Sequence, residues 1–154
     1  MDTSIFTNYL KLIFGNKASF RKDQLEAIIS TVNNHFTLVV EKTGWGKSLV
    51  YFLATKYFRD NGYGPTIIVS PLKSLMRNQI EAASKLNLRA EMISGEFFKR
   101  ENENKKYEIL TSLNNNKIDI LYVTPEQLNK NDLYNLLIAN ITQELALFVI
   151  DEVH

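Results

Sequence analysis

A glycine-rich turn is the first stretch whose residue types and spacing could do chemistry. Residues 41–48 read Glu-Lys-Thr-Gly-Trp-Gly-Lys-Ser. Gly44 and Gly46 let the backbone curl until successive N–H groups point inward, and the helix that follows adds its own unpaired N–H groups. In such a turn Lys47 reaches the β- and γ-phosphates of a nucleotide, and the Ser48 hydroxyl ligates Mg²⁺. The turn therefore predicts a site for ATP and Mg²⁺, with Lys47 as a catalytic residue.

An acidic pair near the end of the sequence completes this chemistry. Asp151 and Glu152 directly follow an apolar run at residues 145–150. Next to a phosphate turn, Asp151 would hold Mg²⁺ through its water shell, and Glu152 would act as the general base on the attacking water. A lone Asp-Glu pair is better interpreted as two solvated acids that end a strand. The presence of the phosphate turn reverses that preference.

Some residues around the turn have plainer interpretations. Glu41 stands where the strict phosphate-loop pattern has its first glycine. A Gly-Lys-Ser sequence can also occur at a helix start by chance, and Trp45 can simply cover the loop. His35 and His154 are poor metal-ligand candidates, because neither has partners at the spacing that metal sites need.

Helical and strand-like segments alternate along the chain and must position these groups. Helical periodicity occurs at 23–32, 48–59, 96–116 and after the prolines at 71 and 125. Short apolar runs typical of buried strands occur at 38–40, 67–69, 89–93, 118–123 and 146–150. This alternation predicts an α/β fold with a parallel sheet covered by helices on both faces.

Composition narrows the possible classes of protein further. The chain has 154 residues, 45% of them hydrophobic and 23% charged, which suits one folded domain. It has no cysteine, which excludes disulfides, thiolate metal sites and cysteine nucleophiles. The sequence lacks the pattern of a signal peptide or membrane span, so we expect a cytoplasmic protein, nucleoid-associated if bacterial. A net charge of +1 neither predicts nor forbids a nucleic-acid partner.

Five segments, in order and register, resemble RecQ-type DNA helicases of superfamily two, the DEAD/DEAH type. They are Phe20-Arg21-x-x-Gln24, Thr43-Gly44-x-Gly46-Lys47-Ser48, Val69-Ser70-Pro71-Leu72-x-Ser74-Leu75-Met76-x-x-Gln79, Tyr122-Val123-Thr124-Pro125-Glu126-x-Leu128 and Asp151-Glu152-Val153-His154. Residues 50–52, Val-Tyr-Phe, extend the resemblance after the phosphate turn. The resemblance implies a three-layer, P-loop (RecA-like) parallel sheet and an ATP-dependent 3′→5′ helicase that moves along single-stranded or forked DNA.

The resemblance also implies roles for individual residues. Gln24 would read the adenine edge and Arg21 would pack on the base. The other nucleotide-binding positions would be Phe20, Thr43, Gly44, Trp45, Gly46, Lys47, Ser48 and Asp151. The single-strand track would be lined by Ser70, Pro71, Leu72, Lys73, Arg77, Asn78, Thr124, Pro125 and Glu126. Taken singly, Gln24 could be a surface helix residue, and Thr124 with its two successors a plain helix cap.

The resemblance also has gaps. The family continues with further motifs, a strand that inserts beside the acidic strand, and a second RecA-like lobe carrying arginine fingers. We therefore expect residues 1–154 to form part of a first lobe, with a sheet that is incomplete at its C-terminus and has exposed edges. We expect such a chain alone not to unwind DNA. Two alternatives stay open: another superfamily-two ATPase acting on nucleic acid, and a truncated, non-catalytic binding module.

Overall fold

Four short strands form one parallel sheet in the computed structural model, which describes residues 1–33, 36–71, 73–93, 95–130 and 132–151. The strands are β1 (Thr66–Val69), β2 (Ala90–Ile93), β3 (Ile120–Val123) and β4 (Leu147–Ile150). Their spatial order is β2-β3-β1-β4, and every pairing is parallel. Strands β1 and β3 are buried along their whole length, which explains their unbroken apolar sequences.

The strand register places three chain segments side by side. Val69 is paired with Val123 on one side and with Ile150 on the other. The next residues, Ser70, Thr124 and Asp151, therefore leave the sheet in one row. We call this end of the sheet, with the loops and helix starts that follow it, the carboxyl edge.

Seven α-helices connect and cover the strands within the described residues. They are α1 (Ser4–Phe14), α2 (Gln24–Val32), α3 (Lys47–Asp60), α4 (Lys73–Ser84), α5 (Glu103–Asn114), α6 (Pro125–Leu128) and α7 (Leu133–Asn140). A single 3₁₀ turn, Arg100–Asn102, precedes α5. None of the helices seen in the described part of the chain has the length and apolar character needed to cross a lipid bilayer.

The core consists of two apolar layers, one on each face of the sheet. Ile68 and Tyr122 face a layer built mainly from α1 to α4. Ile67 and Leu121, one residue along each strand, face the layer of α5 and α7. The predicted α/β fold with a three-layer parallel sheet is therefore confirmed.

A cluster of hydrogen-bonded polar residues lies at the opposite end of the sheet, which we call the amino edge. The Arg59 guanidinium donates to Asp119 Oδ1 at 2.5 Å, to the Asn116 side chain at 2.6 Å and to the Tyr63 carbonyl at 2.6 Å. Asp119 Oδ2 accepts from the Arg89 backbone N–H at 2.7 Å. Both carboxylate oxygens are thus bonded, and the cluster ties α3 to the segments that enter β1, β2 and β3.

Some sequence-based predictions about elements are wrong. The strand predicted at 38–40 does not form, because within the described chain no strand pairs with it; Leu38 and Val40 are 82% and 79% exposed. Ladder hydrogen bonds, not apolar composition alone, make a strand. The helix predicted from residue 96 begins only at Glu103. Helix α1, which buries Phe6 and Leu10, was not predicted.

Strand β4 lies at the edge of the sheet. It pairs with β1 on one side, and no other strand of the described chain pairs with it. Phe148 and Ile150 are 47% and 63% exposed. The structure thus has the exposed edge that we expected beside the acidic strand end.

Candidate nucleotide and nucleic-acid site

The glycine-rich turn has the backbone shape that phosphate binding requires. Gly44 and Gly46 have φ angles of +84° and +98°, in the left-handed region that favours glycine. Gly46 is the N-cap of α3, so the turn leads directly into a 14-residue helix. The helix N-terminus offers unpaired N–H groups and the positive end of its dipole. The turn therefore has the conformation expected of a phosphate-binding loop, and phosphate binding itself stays a prediction.

Lys47 lies across this turn. Its ammonium nitrogen donates to the backbone carbonyl of Glu41 at 2.8 Å and to that of Lys42 at 3.4 Å. The side chain is half-buried, as is that of the next residue, Ser48. These bonds to neutral carbonyl groups can be exchanged for bonds to a phosphate oxygen, which is a stronger partner for an ammonium group.

The start of α2 is attached to the same turn. Gln24 is buried; its side-chain nitrogen donates to the Trp45 carbonyl at 2.8 Å, and its side-chain oxygen accepts from the Arg21 N–H at 2.8 Å. The Arg21 guanidinium donates to the Gly44 carbonyl. A Cβ atom at Gly46 would lie 2.7 Å from the Gln24 side-chain nitrogen. Arg21 and Gln24 therefore hold the turn in shape, while their predicted contacts with a nucleotide base stay predictions.

The two aromatic residues assigned to nucleotide binding contribute to the core. Trp45 is 8% exposed and packs in the layer that contains α2 and α3. Phe20 is half-buried against the same layer. Thr43 is exposed in the turn. This packing supports the plainer interpretation of Trp45, which covers the loop.

Asp151 lies against the first turns of α3. Its backbone N–H donates to the Val69 carbonyl at 2.9 Å, which continues the β1–β4 ladder by one residue. Its carboxylate oxygen Oδ2 accepts a hydrogen bond of 3.1 Å from the Tyr51 hydroxyl. Tyr51 follows Ser48 by three residues, so both lie on one face of the helix. The structure thus brings the acidic strand end to the helix that the phosphate turn opens.

The residues at this junction suit Mg²⁺. A serine hydroxyl and a carboxylate are hard oxygen donors, and Mg²⁺ in nucleotide sites typically takes one or two protein oxygens with phosphates and waters. Ser48 and Asp151 would hold the ion. Glu152, the predicted general base, lies outside the described residues, as do Leu72, His35 and His154.

The two segments predicted to contact nucleic acid are neighbours at the carboxyl edge. The Ser70 N–H donates to the Val123 carbonyl at 3.0 Å, which places Ser70 beside Thr124. Both side chains are buried, at 0% and 3% exposure. The exposed predicted residues around them are Pro71, Lys73, Arg77, Asn78, Pro125 and Glu126.

Thr124 has a structural role as a helix cap. Its hydroxyl accepts from the Gln127 N–H at 3.4 Å and caps α6, with Pro125 at the first helical position. The Ser70 hydroxyl, by contrast, is buried without a hydrogen-bond partner among the described residues. Contact of either residue with DNA stays a prediction.

Four buried polar residues near the carboxyl edge were not assigned a role from the sequence. They are Tyr51, Gln79, Tyr122 and Gln127. Burial is the largest cause that raises the pKa of the Tyr51 and Tyr122 hydroxyls, and the nearby Asp151 charge raises both further. The three-residue spacing from Ser48 and the place of Tyr51 in the resembling segment 50–52 were signals that could have pointed to it.

Comparison with known proteins assigns the sequence to a family. Residues 21–154 match the family described as "DEAD/DEAH box helicase". The "ATP-dependent DNA helicase hus2/rqh1" of Schizosaccharomyces pombe is 36% identical over 137 residues, which cover 88% of this chain and 10% of that protein. The "ATP-dependent DNA helicase Q-like 4B" of Arabidopsis thaliana is 39% identical over 150 residues, 95% of this chain and 12% of that protein.

A bacterial relative shows the same pattern. The "ATP-dependent DNA helicase RecQ" of Haemophilus influenzae is 31% identical over 145 residues, which cover 94% of this chain and 22% of that protein. The chain therefore spans between about a tenth and a fifth of the length of these curated relatives.

Proposed function

Given that the chain belongs to the DEAD/DEAH box helicase family and is RecQ-like, we propose that it binds ATP with Mg²⁺ in an ATP-dependent DNA helicase. The observation that carries the proposal is the contact between Tyr51 on α3 and Asp151 at the end of β4, 3.1 Å. This contact brings the acidic strand end to the helix that the phosphate turn opens, which supports a single site. The RecA-like fold implied by the resemblance agrees with the three-layer parallel sheet.

Each group would have a distinct task in phosphoryl transfer. Lys47 and the α3 N-terminus would stabilise the charge that develops on the phosphates. Ser48 and Asp151 would hold Mg²⁺, which supplies charge neutralisation at the phosphate oxygens when it is bound. Glu152 would orient and deprotonate the attacking water. Because phosphoryl transfer needs mainly positioning and charge stabilisation, this small set carries most of the local chemistry.

The row of Ser70, Thr124 and Asp151 suggests how nucleotide and DNA would be connected. We place the single strand along the exposed residues around Ser70 and Thr124, with phosphates held and bases not read. Movement in the 3′→5′ direction, forked-DNA use, and a second lobe that supplies the remaining charge are parts of the same proposal. The cytoplasmic location stays a prediction.

Substitution of Lys47 tests the catalytic part of this proposal. In the full natural protein, Lys47→Ala should lower the rate of ATP hydrolysis by roughly 100-fold or more, since a preorganised charge facing the phosphates is lost. Lys56→Ala is the matched control, because Lys56 lies on the same helix in an exposed ion pair with Asp60. Hydrolysis that survives Lys47→Ala at half the normal rate would refute the assignment.

The polymer that stimulates hydrolysis tests the substrate class. We expect single-stranded DNA to raise the rate of ATP hydrolysis more than RNA of the same length and sequence. Equal or stronger stimulation by RNA would favour the alternative of another superfamily-two ATPase. Absence of hydrolysis in the unsubstituted protein with either polymer would favour a non-catalytic binding module.

A further inference from the structure

The Tyr51 hydroxyl is placed where it can control the orientation of Asp151. Tyr51 is 6% exposed, and its ring packs edge-on against Phe52 with 5.1 Å between ring centroids. The ring therefore has little freedom to move. Its hydroxyl donates to Asp151 Oδ2 at 3.1 Å, across 100 residues of sequence. A rigid side chain on the phosphate-turn helix thus fixes one oxygen of the acid at the end of β4.

A second buried side chain lies near the hydroxyl. Gln79 on α4 is 8% exposed, and its proximity lowers the pKa of the Tyr51 hydroxyl against the larger rise from burial. The hydroxyl thus lies in a buried polar environment between α3, α4 and β4.

A second tyrosine lies near this hydroxyl. Tyr122 on β3 is fully buried and close enough to influence Tyr51, but its own hydroxyl makes no hydrogen bond of normal geometry within the described chain. Asp151 is anchored at its backbone by the Val69 carbonyl. The backbone bond fixes where the residue lies, and the Tyr51 bond restrains one oxygen of its carboxylate.

We propose that Tyr51 is a positioning residue for Mg²⁺ binding: its hydroxyl holds the Asp151 carboxylate toward the side of α3 that carries Ser48. The inference rests on the proposed nucleotide site. It goes beyond that site by assigning a role to a buried side chain that binds neither nucleotide nor metal. Outer partners of this kind orient metal ligands, and their loss typically weakens metal binding.

Nucleotide titration with and without Mg²⁺ tests the role of Tyr51. The readout is the factor by which Mg²⁺ tightens binding of a fluorescent ATP analogue to the full natural protein. Tyr51→Phe keeps the ring but removes the donor. It should reduce that factor roughly ten-fold, at the lower end of what the loss of an outer hydrogen-bond partner costs a metal site. Binding without Mg²⁺ should stay close to that of the unsubstituted protein, because Tyr51 acts through the metal ligand.

The chain supplies a matched control. Tyr9 also donates its hydroxyl to an aspartate, Asp60 Oδ2 at 2.5 Å, at the far end of the same helix α3. Tyr9→Phe removes the same kind of bond and should leave the Mg²⁺ factor unchanged. A purely structural role of Tyr51 predicts that both substitutions lower the melting temperature and that neither changes the Mg²⁺ factor, and this result would overturn the proposal.

A second substitution keeps the proposal testable if Tyr51→Phe folds poorly. Tyr51→Met also removes the donor, and its flexible side chain fills irregular spaces in a core. It should reduce the Mg²⁺ factor as Tyr51→Phe does, roughly ten-fold. An unchanged factor in either folded variant would overturn the proposal. If the unsubstituted protein shows no Mg²⁺-dependent nucleotide binding, the proposed function fails; if it shows this binding and the folded Tyr51 variants match it, this inference fails alone.

Discussion

The two ends of the sheet differ in whether their buried polar groups have hydrogen-bond partners. At the amino edge, Arg59 and Asp119 satisfy one another and four further backbone or side-chain groups, with distances of 2.5 to 2.7 Å. At the carboxyl edge, buried oxygens without hydrogen-bond partners among the described residues belong to Ser70, Gln79, Tyr122 and Gln127. Each unpaired oxygen costs free energy on folding.

The difference indicates that the two ends of the sheet have separate roles in one domain. The amino edge stabilises the fold, because each donor and acceptor there gains a partner. The carboxyl edge keeps hydrogen-bonding capacity near the phosphate turn, where a ligand or ordered water can use it. Open parallel sheets generally place their ligands at this end, outside the carboxyl ends of the strands. Substitutions at the amino edge should therefore change stability, and those at the carboxyl edge should mainly change binding.

The largest stability effect should come from the amino edge. Arg59→Met should lower the free energy of unfolding by about 3 kcal/mol, because it removes the charge partner of the half-buried Asp119 carboxylate and leaves it only the bond from the Arg89 N–H. The two side chains are only 11% and 16% exposed. Denaturant unfolding measures the loss, and nucleotide affinity of the folded protein should not change.

Lys56→Met is the control for that substitution. Its ion pair with Asp60 is of similar length, 2.6 Å, but more exposed. Such surface pairs contribute at most about 1 kcal/mol. If Arg59→Met and Lys56→Met lose equal free energy of unfolding, the amino edge has no special role in stability.

The next effect concerns the backbone of the phosphate turn. Gly46→Ala should cost about 1–3 kcal/mol and weaken nucleotide binding, because it forces a left-handed residue with a Cβ atom 2.7 Å from the Gln24 side chain. Gly15→Ala is the control: its φ is +89°, but its Cβ would meet no atom within 4 Å. The excess loss in Gly46→Ala isolates the contact with Gln24, and Gln24→Ala should relieve it in the double variant.

The buried Tyr122 at the carboxyl edge should make the free energy of unfolding depend on pH in the alkaline range. Burial raises the pKa of Tyr122 above its ordinary value of 10.0, so the folded state keeps a proton that the unfolded state loses. The contribution of this group to the free energy of unfolding is fully present well below pH 10 and declines as the pH rises above 10. Between pH 8 and pH 11, the unsubstituted protein should lose about 1.4 kcal/mol more unfolding free energy than Tyr122→Phe.

Tyr107→Phe serves as the comparison for Tyr122→Phe, since the Tyr107 ring is 72% exposed. This variant should lose as much stability between the two pH values as the unsubstituted protein. A Tyr122→Phe protein with that same loss would show that the buried hydroxyl does not contribute to the alkaline decline.

The smallest effect should come from the unpaired hydroxyl of Ser70. Ser70→Ala should not lower the free energy of unfolding, because no protein hydrogen bond is lost and the cost of an unpaired buried hydroxyl is removed. Thr55→Val is the contrasting substitution: it breaks the buried 2.7 Å bond between the Thr55 and Thr66 hydroxyls and should cost about 1–2 kcal/mol. If Ser70→Ala costs as much, Ser70 is a structural residue and the comparison fails there.

Much of the fold was predictable because its signals are local. Strands β1, β3 and β4 appear as short apolar runs, and α2 and α3 show helical periodicity at nearly their observed bounds. The prediction at 38–40 failed for a non-local reason: an apolar run becomes a strand only when another strand pairs with it. Helix α1 was missed, although Phe6, Tyr9 and Leu10 bury one face of it.

The candidate site was only partly predictable. The glycine turn and the Asp151 position could be read from residue types, because their chemistry depends on neighbours in sequence. The attachment of Gln24 to the Trp45 carbonyl and of Tyr51 to Asp151 could not, because these contacts span 21 and 100 residues.

The amino-acid sequence alone determined the local chemistry of this protein: left-handed glycines, a lysine and serine at a helix start, and acids after an apolar strand. Backbone conformation and residue type act over a few positions, so a linear pattern suffices for them. Only the tertiary structure decided that Ser70, Thr124 and Asp151 stand in one row and that Tyr51 contacts Asp151. Strand order and register set those distances, and both depend on packing between segments far apart in the chain.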